Sequence, residues 1–299
     1  MTATMPAEPF TPVRWRSQDG VQLYARDYPG APGVEASARC PVICIPGLTR
    51  NSADFSEIAA TVAASGRRVL AVDLRGRGQS HYATDPATYS VDTYALDILE
   101  LMRSQSISRA VFIGTSLGVW VTLTLAAKRA DAVVAAVLND AGPEAPKAAL
   151  DRIARYAGIP VPPMTREDAA FYIERIGAAA YPRYTRADWV GMVERMFRVR
   201  DDGLLVLDYD PRIIRTLGPI KLWLLRPLLW RLYRKLAMQR PTVILRGELS
   251  DVLEARTARR MAAMSPSARL VEVAQVGHAP SLSEPDAVAA IMALLREVD

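Results

Sequence analysis

An α/β fold with a mostly parallel central sheet, helices on both faces and a helical insertion is what this sequence predicts, on three observations. Short apolar runs alternate with helix-forming stretches from residue 42 to about residue 138, and again from residue 242 onward. Between Pro143 and about Arg240 the alternation stops, and the chain reads as helical and proline-punctuated. One strand-like run, 110–113, leads straight into Gly114-Thr115-Ser116-Leu117-Gly118 and then into a stretch of helix formers. In sheets of this kind the functional groups collect at the carboxyl ends of the strands.

Residues 13–16 and 21–27, split by Gln18-Asp19-Gly20, read as an opening β-hairpin. Strands are then expected at 42–45, 68–72, 110–113 and 133–138, with helices near 51–64, at 91–104 and after Gly118. Beyond the insertion the pattern resumes with a strand at 242–245, a helix near 254–264, a strand at 270–273 and a helix at 285–297. There is no internal repeat and no low-complexity segment.

Ser116 carries the expected chemistry. A serine at a strand-to-helix turn takes a strained backbone conformation, and the glycines two residues to either side relieve the crowding. Its hydroxyl then stands clear of the sheet, and the Leu117 N–H, at the helix start, faces a developing oxyanion. Such a serine needs a base, and the chain has two histidines. His278, in Val276-Gly277-His278-Ala279-Pro280 after the last strand, is the expected base. His81, in a polar loop, is expected to be structural or incidental. The orienting carboxylate belongs between nucleophile and base in the chain order Ser…Asp/Glu…His. Asp251, just after the strand at 242–245, is the expected acid; Asp140 is the second choice and Glu248 the third. Asp251 also suits the N-cap of the helix that follows it.

Taken together, these motifs resemble the α/β-hydrolase superfamily. Ile45-Pro46-Gly47-Leu48 is similar to that family's oxyanion loop, and Asp73-Leu74-Arg75-Gly76-Arg77-Gly78-Gln79-Ser80 to its D-x-R-G-x-G-x-S loop. Gly277-His278-Ala279-Pro280, with Glu284-Pro285 shortly after, is similar to its histidine loop. The resemblance covers nearly the whole chain except the middle. It implies a second oxyanion donor, the backbone N–H of Leu48. It also implies a helical cap at residues 143–240 over a core made of residues 1–142 and 241–299. Many members have His-Gly in the oxyanion loop; here Pro46 precedes Gly47, which spares the backbone donor and removes an imidazole from the loop's hydrogen bonding.

The function implied is a serine hydrolase that cleaves a carboxylic ester or lactone with an apolar group through an acyl-enzyme. Two alternatives stay open: a C–C bond hydrolase acting on a dienoic ring-fission product, and a slow or non-catalytic ligand receptor on the same fold. Dehalogenase and epoxide hydrolase chemistry fall away, because relatives of those kinds carry an aspartate where Ser116 stands.

Composition agrees with a globular enzyme. Half of the 299 residues are hydrophobic and 23% are charged. The first residues have neither a basic region nor an apolar one, so no signal peptide is expected, and no run reaches the roughly 18 apolar residues of a membrane span. Cys40 and Cys44 lie four apart in or beside a strand, roughly 13 Å between Cα atoms, too far for a disulfide. No metal-ligand cluster and no nucleotide-binding glycine motif is present. A cytoplasmic, cofactor-free protein with a small-molecule substrate and no nucleic-acid partner is expected.

The net charge of +5 is unevenly placed. Residues 143–240 hold 18 Lys/Arg against 11 Asp/Glu, and the remainder 19 against 21. From Pro211 to Arg240 eight basic residues, Arg212, Arg215, Lys221, Arg226, Arg231, Arg234, Lys235 and Arg240, stand without one acid. Pro227 is read as opening a helix with Leu228, Leu229, Leu232, Tyr233 and Leu236 on one face and Arg231, Arg234 and Lys235 on the other. It is expected to be a cap helix that packs its apolar face on the core and leaves its arginines solvated outside, with weak contact to an anionic membrane and steering of an anionic substrate as the alternatives. On a helix near 188–200, Trp189, Met192, Val193 and Met196 share a face that reads first as the cap's own core and second as pocket lining; Trp189, Met192 and Met196, with Trp120 one turn past the serine, are the candidates for the substrate pocket.

Overall fold

The apolar runs form the strands, and alternate residues of each strand serve two different cores. Ile43, Ile45, Leu70, Val72, Phe112, Leu138 and Ile244 enter one. Their neighbours Val42, Cys44, Val69, Ala71, Val111, Val137 and Val243 enter the other. That is the period of two of a sheet covered on both faces. This computed structural model describes residues 9–31, 39–216 and 219–298, and of residues 215–224 no side chain. Arg215 and Lys221 of the basic run therefore lie outside the described side chains.

Strands β1 (Thr11–Arg16) and β2 (Gln22–Tyr28) form the expected hairpin, and β2 pairs antiparallel with β4 (Val69–Asp73). The others are parallel: β3 (Val42–Ile45), β4, β5 (Ala110–Thr115), β6 (Val133–Asn139), β9 (Thr242–Gly247) and β10 (Ala268–Val273). The order across the sheet is β1-β2-β4-β3-β5-β6-β9-β10. Helices α1 (Ser56–Ala64) and α9 (Pro285–Glu297) cover one face. The other is covered by α2 (Val91–Ser104), α3 (Leu117–Lys128), α7 (Pro219–Gln239) and α8 (Ala255–Ala262).

The insertion departs from expectation in two ways. First, its helices α4 (Lys147–Ala157), α5 (Arg166–Gly177) and α6 (Arg186–Met196) are accompanied by a small antiparallel ribbon, β7 (Phe197–Val199) and β8 (Leu205–Leu207). Three-residue strands are too short to show a period, and the turn between them relies on Gly203 at φ +79°. Second, Pro227 lies inside α7 and does not open it. Leu229, Trp230, Tyr233, Leu236 and Ala237 join the main core beside α3, and the Tyr233 hydroxyl donates to the Met261 carbonyl at 2.7 Å. The second half of α7 is thus a layer of the core and not part of a lid over residues 143–240. Arg231, Arg234 and Lys235 are exposed, as expected for a solvated face, but Leu228 is exposed too. Met238 is exposed as well, so the outer face of α7 mixes basic and apolar groups, a composition that also suits the surface of an anionic membrane. Among the described residues no helix is long and apolar enough to cross one.

The insertion has an apolar interior of its own. Trp189, Met192, Val193 and Met196 of α6 pack with Ala169, Ala170 and Ile173 of α5 and with Phe197 and Leu205. At its junction with the core, Asp208 accepts from Asn51 Nδ2 at 3.4 Å while its carbonyl accepts the Gly78 N–H at 3.0 Å. Burial, reinforced by repulsion from Asp73 and opposed by Arg198, pushes the Asp208 carboxyl up to about 6. In the unfolded chain an aspartate titrates near about 3.9. The folded chain therefore holds a proton between those values that the unfolded chain has lost. Asp208 imposes no penalty below about pH 4, and stability falls as pH rises through about 6, by on the order of 3 kcal/mol. Asp208→Asn should flatten that fall and outlast the parent in urea near neutral pH. Parallel urea midpoints for the two proteins from acid to mildly alkaline pH would show Asp208 ionised throughout.

Candidate active site

Ser116 sits between β5 and α3 with φ +53° and ψ −111°, a conformation that side chains rarely adopt. Strain of this kind, about 1–3 kcal/mol, persists where the surroundings over-determine it. Here the surroundings are backbone. A Cβ on Gly114 would lie 2.4 Å from the Gly118 carbonyl oxygen, and one on Gly118 would lie 2.2 Å from that of Ile45. The two glycines thus let β5, α3 and the end of β3 come together. The Ser116 N–H donates to the Asn139 carbonyl at 2.9 Å, tying the turn to the end of β6.

His278 completes a chain of hydrogen bonds. Its Nε2 lies 2.9 Å from Ser116 Oγ and its Nδ1 lies 2.8 Å from Asp140 Oδ2. Asp140 follows β6 with φ +55° and is fully buried. Besides the imidazole it accepts the Gly247 N–H on Oδ1 at 3.0 Å and the Ser250 hydroxyl on Oδ2 at 2.6 Å. Three donors around one buried carboxylate compensate its charge and fix its direction.

The expectation for Asp251 is therefore corrected. Its carboxylate turns outward and is gripped by Arg152 through two bonds of 2.7 Å. Partial burial opposes its charge, and the Arg152 contacts outweigh that and hold its carboxyl below the usual value. What the loop after β9 supplies to the site is the preceding residue, Ser250, whose Oγ also accepts the Val252 and Leu253 N–H groups at 3.2 Å. Glu248 accepts the Gln275 N–H at 2.7 Å and takes no part in the chain. His81 is exposed in its loop. Chain order did not separate Asp140 from Asp251, since both lie between Ser116 and His278; an aspartate directly at the end of a buried strand was the better signal.

The histidine loop is held from two sides. Asn139 Nδ2 donates to the Pro280 carbonyl at 2.9 Å. From the cap, the Tyr181 hydroxyl donates to the Ala279 carbonyl at 2.8 Å and accepts the Ala279 N–H at 3.0 Å. The Gly277 N–H donates to the Ala180 carbonyl, and a Cβ on Gly277 would meet the Ala180 Cα at 2.7 Å. The backbone of the insertion thus packs directly on the loop that carries His278.

The loop after β3 passes beside the serine: a Cβ on Gly47 would lie 3.6 Å from Ser116 Cβ. Neither the Leu48 nor the Leu117 amide donates to a described residue. Behind this loop lies Arg77, a fully buried guanidinium. Its Nε donates to the Leu48 carbonyl at 2.6 Å, and its Nη1 to the Arg75 carbonyl at 2.7 Å and the Tyr94 hydroxyl at 3.0 Å. The other residues of the loop after β4 are structural. Asp73 accepts the Ser52 and Gln79 N–H groups at 2.7 and 2.8 Å, and Arg75 is forked by Asp97 and Asp19. Gly78, at φ +54°, leaves room for the Asp73 carboxylate, which a Cβ would meet at 2.2 Å.

The four pocket candidates prove to be packing residues. Trp120 is buried in the main core, and its indole N–H donates to the Gly142 carbonyl at 2.9 Å. Trp189, Met192 and Met196 are 2%, 7% and 8% exposed and fill the interior of the insertion, the first expectation for their shared face. Their shared helical face is the signature of a core as much as of a pocket, and α5 covers it. Among the described residues no group of His, Cys, Asp and Glu is placed to hold a metal ion.

Residues 42–291 match the alpha/beta hydrolase family. The chain is 32% identical over 254 residues to the 3-hydroxybutyrate-oligomer hydrolase of Cupriavidus necator, covering 83% of this chain and 85% of that one. It is 31% identical over 235 residues to the 2-(acetamidomethylene)succinate hydrolase of Mesorhizobium japonicum, covering 78% and 79%. The crystal structure of an alpha/beta hydrolase from Novosphingobium aromaticivorans is similar to it with a TM-score of 0.86 and 37% identity, over 97% of this chain and 99% of that one.

Proposed function

The chain belongs to the alpha/beta hydrolase family, and from that premise we propose that it is a serine hydrolase of carboxylic esters or lactones bearing an apolar group. The observation that carries this reading is His278, placed 2.9 Å from Ser116 Oγ and 2.8 Å from Asp140 Oδ2. In the proposed reaction Ser116 Oγ attacks the ester carbonyl while His278 Nε2 takes its proton. Asp140 holds the far imidazole N–H, and so fixes the tautomer and stabilises the imidazolium. The tetrahedral oxyanion is received by the Leu48 and Leu117 amides, with the buried charge of Arg77 behind the Leu48 carbonyl. His278 returns the proton to the leaving alkoxide, and an acyl-Ser116 remains. Water, deprotonated by the same imidazole, then releases the acid.

Both curated relatives described above are hydrolases by name, and an oligomer of 3-hydroxybutyrate is itself a chain of esters. Labelling with a fluorophosphonate tests the reading. The adduct is expected on Ser116 in a peptide map, with loss of hydrolysis of aryl esters of graded acyl length. A map with the adduct on any other residue, or no adduct at all, would overturn it.

A further inference from the structure

Arg50 lies two residues beyond Leu48, and its charge is not used by the proposed triad. The point that a Gly47 Cβ would occupy is 3.5 Å from Arg50 Cγ and 3.6 Å from Ser116 Cβ, so the arginine stem starts beside the nucleophile. Arg50 donates to Asp54 through Nε at 2.6 Å and through Nη2. Its Nη1 donates to no described residue. A second guanidinium reaches the same carboxylate from the cap: Arg195 Nε is 3.6 Å from Asp54 Oδ1. Two cations therefore share Asp54; Asp188, in the field of Arg195, is a further carboxylate near them, exposed and held by the Thr185 N–H and hydroxyl at 2.7 Å. Both guanidinium groups are partly open, with Arg50 at 19% and Arg195 at 30% exposure.

The donor left for an anionic ligand is Arg50 Nη1, and the phenols around it carry no charge. Tyr156, Tyr181 and Tyr184 lie within the field of Arg50, and Tyr184 also within that of Arg195. Burial raises all three phenols, so they remain neutral and add no competing charge. The nearby Glu284 is turned to the Ser281 and Leu282 amides, at 2.8 and 2.9 Å.

We propose that Arg50, with Arg195 beside it, binds a carboxylate on the substrate, so that the ester cleaved at Ser116 belongs to a carboxylic acid derivative with a free terminal carboxylate. This inference rests on the serine hydrolase reading and narrows its substrate class. A guanidinium N–H on a carboxylate is a strong, directional contact when partly shielded from water. It is made by a part of the substrate that does not react, so it governs binding before chemistry.

The test compares an aryl hemiester of glutaric acid with its neutral methyl-capped twin. The wild type is expected to prefer the anionic ester by about tenfold or more in kcat/KM. Arg50→Met should bring that ratio close to one, chiefly through KM of the anionic ester, and Arg50→Lys should restore part of it. Arg195→Gln should lower the ratio by a smaller factor and serves as the second variant if Arg50→Met does not fold. Ser116→Ala protein provides a readout without turnover: calorimetry should detect the anionic ester more tightly than the neutral one, and Arg50→Met in that background should remove the difference. Equal kcat/KM for the two esters in the wild type, with a phosphonate adduct on Ser116, overturns the carboxylate site and leaves the hydrolase reading standing. A preference that survives both Arg50→Met and Arg195→Gln overturns the assignment of these residues. Absence of both turnover and adduct overturns the hydrolase reading itself, and equal calorimetric binding of the two esters would then overturn this inference separately.

Discussion

Ser116→Ala is expected to lower kcat by roughly four to six orders of magnitude, and His278→Ala by a similar factor. In the proposed reaction the two act on one proton. Without the imidazole the hydroxyl stays protonated and weakly nucleophilic; without the hydroxyl the imidazole has nothing to activate but water. The double variant should accordingly lose little beyond either single one, because the residual rate comes from the oxyanion donors and binding alone. Single-turnover kinetics with an activated aryl ester should also lose the burst of aryl alcohol that marks acyl-enzyme formation. Neither substitution should disturb the fold. Ser116 is a turn residue at an unfavourable φ of +53°, and His278 lies in a loop held by its backbone through Ala279 and Pro280. A Ser116→Ala enzyme that kept more than a tenth of the activity would mean that another residue is the nucleophile.

Asp140→Asn is the second large effect, and Asp251→Asn its control. The amide in place of Asp140 presents a donor or a neutral acceptor to His278 Nδ1, so the imidazole adopts the wrong tautomer or loses the stabilisation of its charged form. A fall of about 10⁴ in kcat is expected. Asp140 also accepts from Gly247 and Ser250, so some loss of stability should accompany it, which thermal melting would separate from the loss of rate. Asp251→Asn breaks a partly exposed pair with Arg152 and should change kcat by less than about threefold, since such pairs contribute at most about 1 kcal/mol. If Asp251→Asn proves the more damaging of the two, the hydrogen bond drawn here between His278 and Asp140 does not form during turnover.

The order of strands and helices, the strained serine turn and the histidine that the structure places beside it were legible in the sequence because each is a local signal. A buried parallel strand is a short apolar run, a strained turn declares itself by glycines two residues to either side, and with two histidines in the chain the base after the last strand had little competition. What the linear chain does not carry is which loops become neighbours. The choice of Asp140 over Asp251 depends on β6 and β9 lying side by side, so that the Gly247 N–H and the Ser250 hydroxyl converge on one carboxylate while Asp251, one residue further, swings out to Arg152. The same holds for α7 and α6. An amphipathic pattern states that a helix has an apolar face and is silent on what covers it. Core packing is the first expectation for both, and the tertiary structure names the neighbours: α3 beside α7, and α5 over Trp189, Met192 and Met196. The Arg50–Asp54–Arg195 cluster joins two residues that precede the insertion to one within it. Electrostatic contacts of this kind act through space over a few ångströms, and separation along the chain says nothing about them.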